Sequence, residues 1–336
     1  MATIRDVAKL AGVSVATVSR VLNKNSYVNK DTEQKVVKAI EQLQYEPNTV
    51  ARGLAGKETG TIALILPDIS NPFFPVIARG VEDVAQRHGY TVILCNSDDH
   101  GQKEKGYIEM LRKKYVDGMI FASSTLSEED VEQMRKNKIP LVVLDRALTS
   151  QSYSVIRARN YEGAKLAVRH LLDIGCKKIA HLYGPQEMIT AKERLQGYED
   201  SVKHAPWYTP SLMLPGHFHM DGGLRAVKDL MEKHSDIDGI FCGNDLMAVG
   251  ALKGLHQLGI RVPDDVALIG FDGISLTEIT QPELSTIAQP NYDMGKLAAE
   301  VLFEAIQSGV VQPKLYELEV TLIERDSTAR KPTDRP

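Results

Sequence analysis

Residues 2–23 read ATIRDVAKLAGVSVATVSRVLN. Thr3 and Asp6 have the spacing of a capping box, a hydroxyl to cap the first turn and an acid to reach back to it. An acid in the first turn also suits the positive end of a helix. Val7, Leu10 and Ala11 supply an apolar stripe. Gly12 is placed to take the left-handed backbone of a C-terminal cap, and Ser14 to cap a second helix from Val15 to Asn23. There Val18, Val21 and Leu22 point one way, and Val15, Ala16, Ser19 and Arg20 another. A third helix has Asn29 as its cap and Val36, Ile40 and Leu43 as its buried stripe. Two short helices about a tight glycine turn make a helix-turn-helix. The exposed face of the second helix is small, hydroxylated and ends in arginine. Such a face can approach base edges, with Ala16 or Val15 against thymine methyl groups and Arg20 on guanine. Thr17, Ser19 and Asn23 suit phosphates, which position the helix without reading sequence.

The charge distribution agrees. The chain has 336 residues, enough for two or three domains at ~150 residues each. Its net charge is −4, but residues 1–57 carry nine Lys/Arg against five Asp/Glu, a local +4 that leaves −8 on the rest. A small basic head on a larger acidic body is the pattern of a DNA-binding module joined to something else. With 43% hydrophobic and 25% charged residues, the body can bury a core. No apolar run approaches the ~18 residues of a membrane span, and Met-Ala-Thr-Ile-Arg-Asp does not begin a secretory signal. Cys95, Cys176 and Cys242 fit no zinc or disulfide spacing and read as reduced cytoplasmic thiols.

Beyond residue 60, short β-branched runs alternate with helical patterns. They are Thr61–Leu66, Tyr90–Leu94, Gly118–Phe121 and Leu141–Leu144, then after position 175 Lys178–Tyr183, Gly239–Cys242 and Val266–Gly270. That spacing predicts parallel α/β sheets, and the restart predicts two. Ligands of such sheets bind beyond the carboxyl ends of the strands. The residues there are Asp68, Asn71, Phe73 and Phe74; Asn96, Ser97 and Asp98; Ser123 and Ser124; Asp145 and Arg146; Asn244 and Asp245; Phe271 and Asp272; and Gln289 after Ser285–Ala288. Carboxylates, amides, arginines and aromatic rings together suit a polyol, whose hydroxyls donate and accept while its C–H faces pack on rings. Asp and Asn also start turns and cap helices, and for Asn96 and Asp98 that reading is at least as good.

Residues 2–23, followed by YVNKDTEQKVVKAIEQLQYEPNTVARGLAG at 27–56, closely resemble the headpiece of the lactose-repressor (LacI) family of bacterial transcription regulators. The resemblance implies that 1–46 is a DNA-binding head and 47–59 a hinge that becomes helical only on the operator. It places Thr3, Ser14, Asn29, Asn48 and Ala51 among the DNA contacts. Leu54 matches the family's intercalating leucine, a wedge that unstacks a central base step. The glycines at 53 and 56 agree, since so short a helix needs a partner to fold on. Residues 60–330 resemble the family's sugar-binding core, of periplasmic-binding-protein fold, to its terminus at Leu322–Thr328. By that likeness one lobe takes about 61–160 and 290–320, the other about 161–289 and 321–330, and 331–336 is a polar tail. The match to ribose-binding members implies a sugar site of Asn71, Phe73, Phe74, Asp145, Arg146, Arg194, Phe218, Asn244, Asp272 and Gln289. Two positions depart: Ser123 stands where sugar-binding relatives carry Asn, and Arg159 where the family usually has Asp.

The fold class expected is thus α/β, a helix-turn-helix head plus a core of two doubly wound parallel-sheet lobes. The function expected is a DNA-binding repressor released by a small sugar, D-ribose or a close pentose, with no cofactor. A purine corepressor or a phosphoprotein partner within the same family is the alternative. The partner set is a pseudo-palindromic operator duplex and a second copy of the chain, since one head reads only a half-site. The short polar tail carries no leucine heptads, so a tail-mediated tetramer is not expected. Phosphate-cradling glycine loops, the G-x-S-x-G elbow and H-E-x-x-H are all missing from the sequence, which argues against an enzyme. His217 and His219 lack the partners of a metal site. A transport-type binding protein is the other reading, opposed by the basic head.

Overall fold

The computed structural model describes residues 2–23, 27–45, 59–113, 116–122, 128–145 and 152–330. They fall into two compact units, Met1–Thr59 and Gly60–Pro336. The first holds α1 (Ile4–Ala11), α2 (Val15–Asn23) and α3 (Lys30–Leu43) around a core of Val7, Ala8, Ala11, Val18, Val36 and Ala39. The capping box is present. Asp6 Oδ2 accepts from the Thr3 amide at 2.8 Å, and the Thr3 hydroxyl accepts from the Asp6 amide. Hydrogen bonds from Thr3 hold the Asp6 carboxyl below its ordinary value. Gly12 has φ 67°, the left-handed cap that a side chain would disfavour. Ser14 Oγ accepts from the Thr17 amide at 3.1 Å, and Asn29 Oδ1 from the Asp31 amide at 3.0 Å. Leu10 departs from expectation and is 47% exposed. The buried stripe of α1 runs through Val7, Ala8 and Ala11, and at about 100° per residue Leu10 falls well to its flank. Asn48, Ala51 and Leu54 of the expected hinge lie outside the described residues.

The second unit contains two six-stranded sheets. Sheet one is built from β1 (Thr61–Leu66), β2 (Thr91–Asn96), β3 (Gly118–Phe121), β4 (Leu141–Leu144), β5 (Ser154–Ala158) and β11 (Leu315–Leu318), in the order β11-β5-β4-β3-β1-β2. Sheet two is built from β6 (Ile179–Tyr183), β7 (Met213–Pro215), β8 (Gly239–Cys242), β9 (Ala267–Asp272), β10 (Ser285–Ala288) and β12 (Thr321–Ile323), in the order β12-β10-β9-β8-β6-β7. All neighbours run parallel except β10 and β12. Strands such as Ile62–Leu66 and Ile240–Cys242 are fully buried, as parallel strands covered by helices on both faces must be. The cover on sheet one includes α4 (Phe73–Arg87), packed on α11 (Asn291–Ser308). On sheet two α7 (Asn160–Asp173) packs on α8 (Ile189–Val202), and α9 (Met220–Lys233) on α10 (Asp245–Gln257). The remaining helices, α5 (Gly101–Lys113) and α6 (Glu128–Lys136), follow β2 and β3.

The chain passes from sheet one to sheet two after β5, returns after β10 and crosses again between β11 and β12. The fold class read from the sequence is the one found. Among the described residues no helix is long and apolar enough to cross a membrane.

Candidate functional site

The carboxyl ends of strands from both sheets meet at one cavity of about 40 Å³, well below the roughly 300–1,000 Å³ typical of open ligand sites. From sheet one come Asn71, Phe73 and Phe74 beyond β1, and Asp145 beyond β4. From sheet two and its helices come Thr190 and Arg194 on α8, Phe218 before α9, Asn244 beyond β8 and Asp272 at the end of β9. Asn71 Oδ1 accepts from the Phe73 amide at 3.1 Å, which seats the start of α4. The two phenylalanine rings then meet edge to face at 5.0 Å. Asn244 caps α10, its Oδ1 accepting from the Met247 amide at 2.9 Å, while its Nδ2 donates to the Phe218 carbonyl at 3.1 Å. Three lining residues hold positive φ: Asp145 at 63°, Phe218 at 61° and Asp272 at 119°. Such backbone persists where surroundings over-determine it, and it gathers at functional sites.

Arg194 is the electrostatic centre. Its side chain is 4% exposed and its Nη1 lies 3.2 Å from Asp272 Oδ1. Nε donates to Asn160 Oδ1 at 2.9 Å, and Nη1 to the Gly243 carbonyl at 2.6 Å. The guanidinium lies 3.8 Å from the centroid of the Phe271 ring. Asp272 also accepts from Gln289 Nε2 at 2.8 Å. Burial pushes the Asp272 carboxyl up to about 6, with Arg194 opposing and Asp145 adding to the rise. Behind it Asp245 is wholly buried, and burial and Asp272 push its carboxyl well up. Asp245 takes hydrogen bonds from the Thr286 hydroxyl at 2.7 Å and the Ile274 amide at 2.9 Å. Among the described residues the cavity sets one arginine against Asp145 and Asp272, a balance that disfavours an anion. It suits a small neutral molecule rich in hydroxyl donors, which carboxylates need as partners.

Eight of the ten residues expected at the sugar site line this cavity. Gln289 stands one step behind, bonded to Asp272, and Arg146 and Ser123 lie outside the described residues. Asp68 and Asp98 are spent locally, Asp68 Oδ1 accepting from the Ser70 amide and Asp98 pairing with Lys103, while Asn96 Oδ1 accepts from the Ile69 amide and so ties β2 to the loop after β1. Thr190 and Asn160 were missed. Thr190 sits four residues before Arg194, hence on the same helix face, and that spacing is the signal that could have found it. Among the described residues no three His, Cys, Asp or Glu are grouped to hold a metal.

In the head, Val15, Ala16 and Arg20 are exposed on α2 while Val18 faces inward. Ser19 and Thr17 are half-buried, and the Thr17 hydroxyl lies 2.9 Å from that of Ser14. The Thr3 hydroxyl is occupied by Asp6 at 2.7 Å. The backbone of Asn23 closes α2; its side chain is outside the described residues.

Residues 3–48 match the family described as bacterial regulatory proteins, lacI family. Residues 59–330 match periplasmic binding proteins and sugar binding domain of LacI family. A ribose operon repressor of Halalkalibacterium halodurans is 44% identical over 328 residues, covering 98% of this chain and 97% of its own. The HTH-type transcriptional repressor PurR of Vibrio vulnificus is 39% identical over 332 residues, covering 98% and 99%. A LacI family transcriptional regulator from Enterococcus faecium, solved with bound ribose, superposes with a TM-score of 0.73 at 31% identity, covering 80% of this chain and 98% of that one. A lac repressor dimer bound to operator superposes with a TM-score of 0.83 at 27% identity, covering 97% and 99%.

Proposed function

The chain belongs to the LacI family of bacterial regulatory proteins, and from that premise we propose that it is a cytoplasmic homodimeric repressor of a pseudo-palindromic operator, released by D-ribose or a close pentose bound in the cavity. The observation that carries the ligand is the pairing of Arg194 with Asp272 under Phe218, opposite Asn71 and Asp145. Hydroxyls on both faces of a pentose bridge these groups, and the phenylalanine rings take its C–H edges. A ligand held from both sheets favours the arrangement in which they approach, and shifts the equilibrium only by its differential affinity for it. The sugar-bound relative and the ribose operon repressor support ribose; the lac repressor dimer on operator supports two copies on DNA. On the head, Val15, Ala16 and Arg20 read base edges. Thr3, Ser14, Thr17, Ser19, Asn23 and Asn29 take the backbone, and Asn48, Ala51 and Leu54 the minor groove.

The relative named PurR keeps a purine ligand as the second reading. Calorimetry with D-ribose, D-xylose, hypoxanthine and guanine separates the two. It is followed by titration of an operator selected from random duplexes, with and without the ligand. Ribose is expected to release heat and weaken operator binding, and at 100 times its Kd to stabilise the fold by ~2.7 kcal/mol. Heat from a purine alone transfers the cavity to the second reading. Tighter operator binding with ribose keeps the site and reverses the switch.

A further inference from the structure

Phe218 reaches the cavity from a loop whose backbone is held fast. His217 and Phe218 take φ of 56° and 61°, two consecutive left-handed residues without glycine. The Phe218 carbonyl is fixed by Asn244 Nδ2 at 3.1 Å, and Asn244 is itself fixed as the cap of α10. The ring is therefore the part of this residue that can turn. One side of it looks toward the cavity and Arg194, whose guanidinium lies 5.6 Å from the ring centroid. The ring also rests on Gly184, the residue just after β6. A methyl group on Gly184 would stand 2.2 Å from Phe218 Cζ, 2.3 Å from Cε1 and 2.6 Å from Cε2. Gly184 does not have the positive φ that would require glycine for its backbone. What the position needs is room, and the atom group using that room is the ring that walls the ligand.

We propose that Gly184 is a specificity-determining position of the cleft: its missing side chain lets Phe218 stand back, and so sets the size of sugar the cavity admits. The proposal rests on reading the cavity as a sugar site. With the loop held, the ring of a Gly184→Ala protein must give up the space that the methyl group takes. It advances toward Arg194 and takes volume from a cavity that is already small. Gly184 is not among the residues that line the cavity, so it acts through Phe218 as a positioning residue.

The test has a structural and a binding arm. A crystal structure of unliganded Gly184→Ala is expected to show the Phe218 ring displaced toward Arg194; a ring that stays, or turns out to solvent, overturns the proposal. Calorimetry of the full chain with D-ribose and D-glucose is expected to give at least a tenfold loss of ribose affinity in Gly184→Ala, with melting temperature and sugar-free operator binding close to the parent. Gly184→Ala/Phe218→Leu is expected to recover most of that loss, which a general loss of stability would not allow. Phe218→Leu alone, which needs no tolerance of alanine at 184, is expected to move the affinity ratio toward the hexose. Unchanged ribose affinity in Gly184→Ala, no recovery in the double variant, or an unmoved ratio in Phe218→Leu each overturn it. A parent protein silent to both sugars while the alanine variant shows the displaced ring removes the sugar reading and leaves the role of Gly184.

Discussion

Arg194 is almost wholly buried beside Asp272, and this makes its removal informative. With its guanidinium gone, Asp272 keeps its hydrogen bond from Gln289 but loses the cation that opposes burial of its charge. A charged hydrogen bond contributes roughly 1.5–3 kcal/mol, so Arg194→Ala should weaken ribose binding by about 10- to 100-fold per bond lost, while sugar-free operator binding persists. Calorimetry beside gel shift reads both; loss of operator binding at unchanged sugar affinity would invert the assignment. His181 gives a pH prediction. It lies wholly buried, stacked between Tyr198 at 5.1 Å and Phe241 at 4.5 Å, its Nδ1–H donating to the Phe241 carbonyl at 2.9 Å. Burial lowers its pKa from 6.5 to about 3. The unfolded chain therefore binds a proton that the folded one refuses, and this stability is present above pH 6.5 and declines as pH falls toward 3. At 1.36 kcal/mol per unit the decline is at most roughly 4–5 kcal/mol. His181→Phe should flatten stability against pH between 6.5 and 4, read by denaturant titration at each pH; an unchanged slope would refute it. At this scale the sequence was legible wherever a side chain followed a strand directly, as Asn244 and Asp272 do. Asn160 was not, because what marks it is a contact with Arg194, on the next helix and 34 residues along the chain.

Elements with a strong local signal were read almost to the residue, since their caps are chemical and their cores periodic. Thr3 and Asp6, Gly12, Ser14 and Asn29 each do what their types predict. The strands missed were β5, β7, β11 and β12: β7 and β12 have three residues each, and β5 and β11 break their apolar runs with Arg157 and Glu317. Residues such as Arg157 and Glu317 sit opposite each other on β5 and β11 because the chain returns there after some 160 residues. No local pattern encodes such a pairing; it is fixed by what lies beside it. The exposed face of α2 is where an element-scale prediction belongs. Arg20→Ala should cost roughly 1–3 kcal/mol on the selected operator and relax preference at one base pair per half-site. Competition against random duplex checks it: an equal loss on both would make Arg20 a phosphate contact.

At the scale of the whole core, side chains tie the two sheets together. Arg157 on β5 of sheet one lies 2.7 Å from Glu193 on α8 of sheet two, and 2.7 Å from Glu317 on β11. Arg159, the departure noted in the sequence, pairs with Glu319 where the chain crosses between sheets. Arg157 and Glu193 are 13% and 21% exposed, sheltered enough to be screened less than surface pairs. Burial pushes the Glu193 carboxyl up, and Arg157 pulls it back. Glu193 precedes Arg194 on the same helix, so the pair holds the helix that carries the central cation of the cavity. If ribose favours this arrangement of the sheets, anything that stabilises the arrangement also strengthens ribose by the same free energy. Glu193→Gln keeps the shape and removes the charge. It should lower ribose affinity by about 5- to 30-fold, corresponding to roughly 1–2 kcal/mol, without touching the sugar. Sugar-free operator binding should be unchanged or tighter, because the arrangement that releases DNA has been weakened. Arg157→Ala should do the same, and the two changes together should cost less than their sum, the signature of a shared contact. Full additivity would mean that the arginine and the glutamate act separately. Weaker operator binding in the sugar-free variant would mean that this pair supports the DNA-bound form instead.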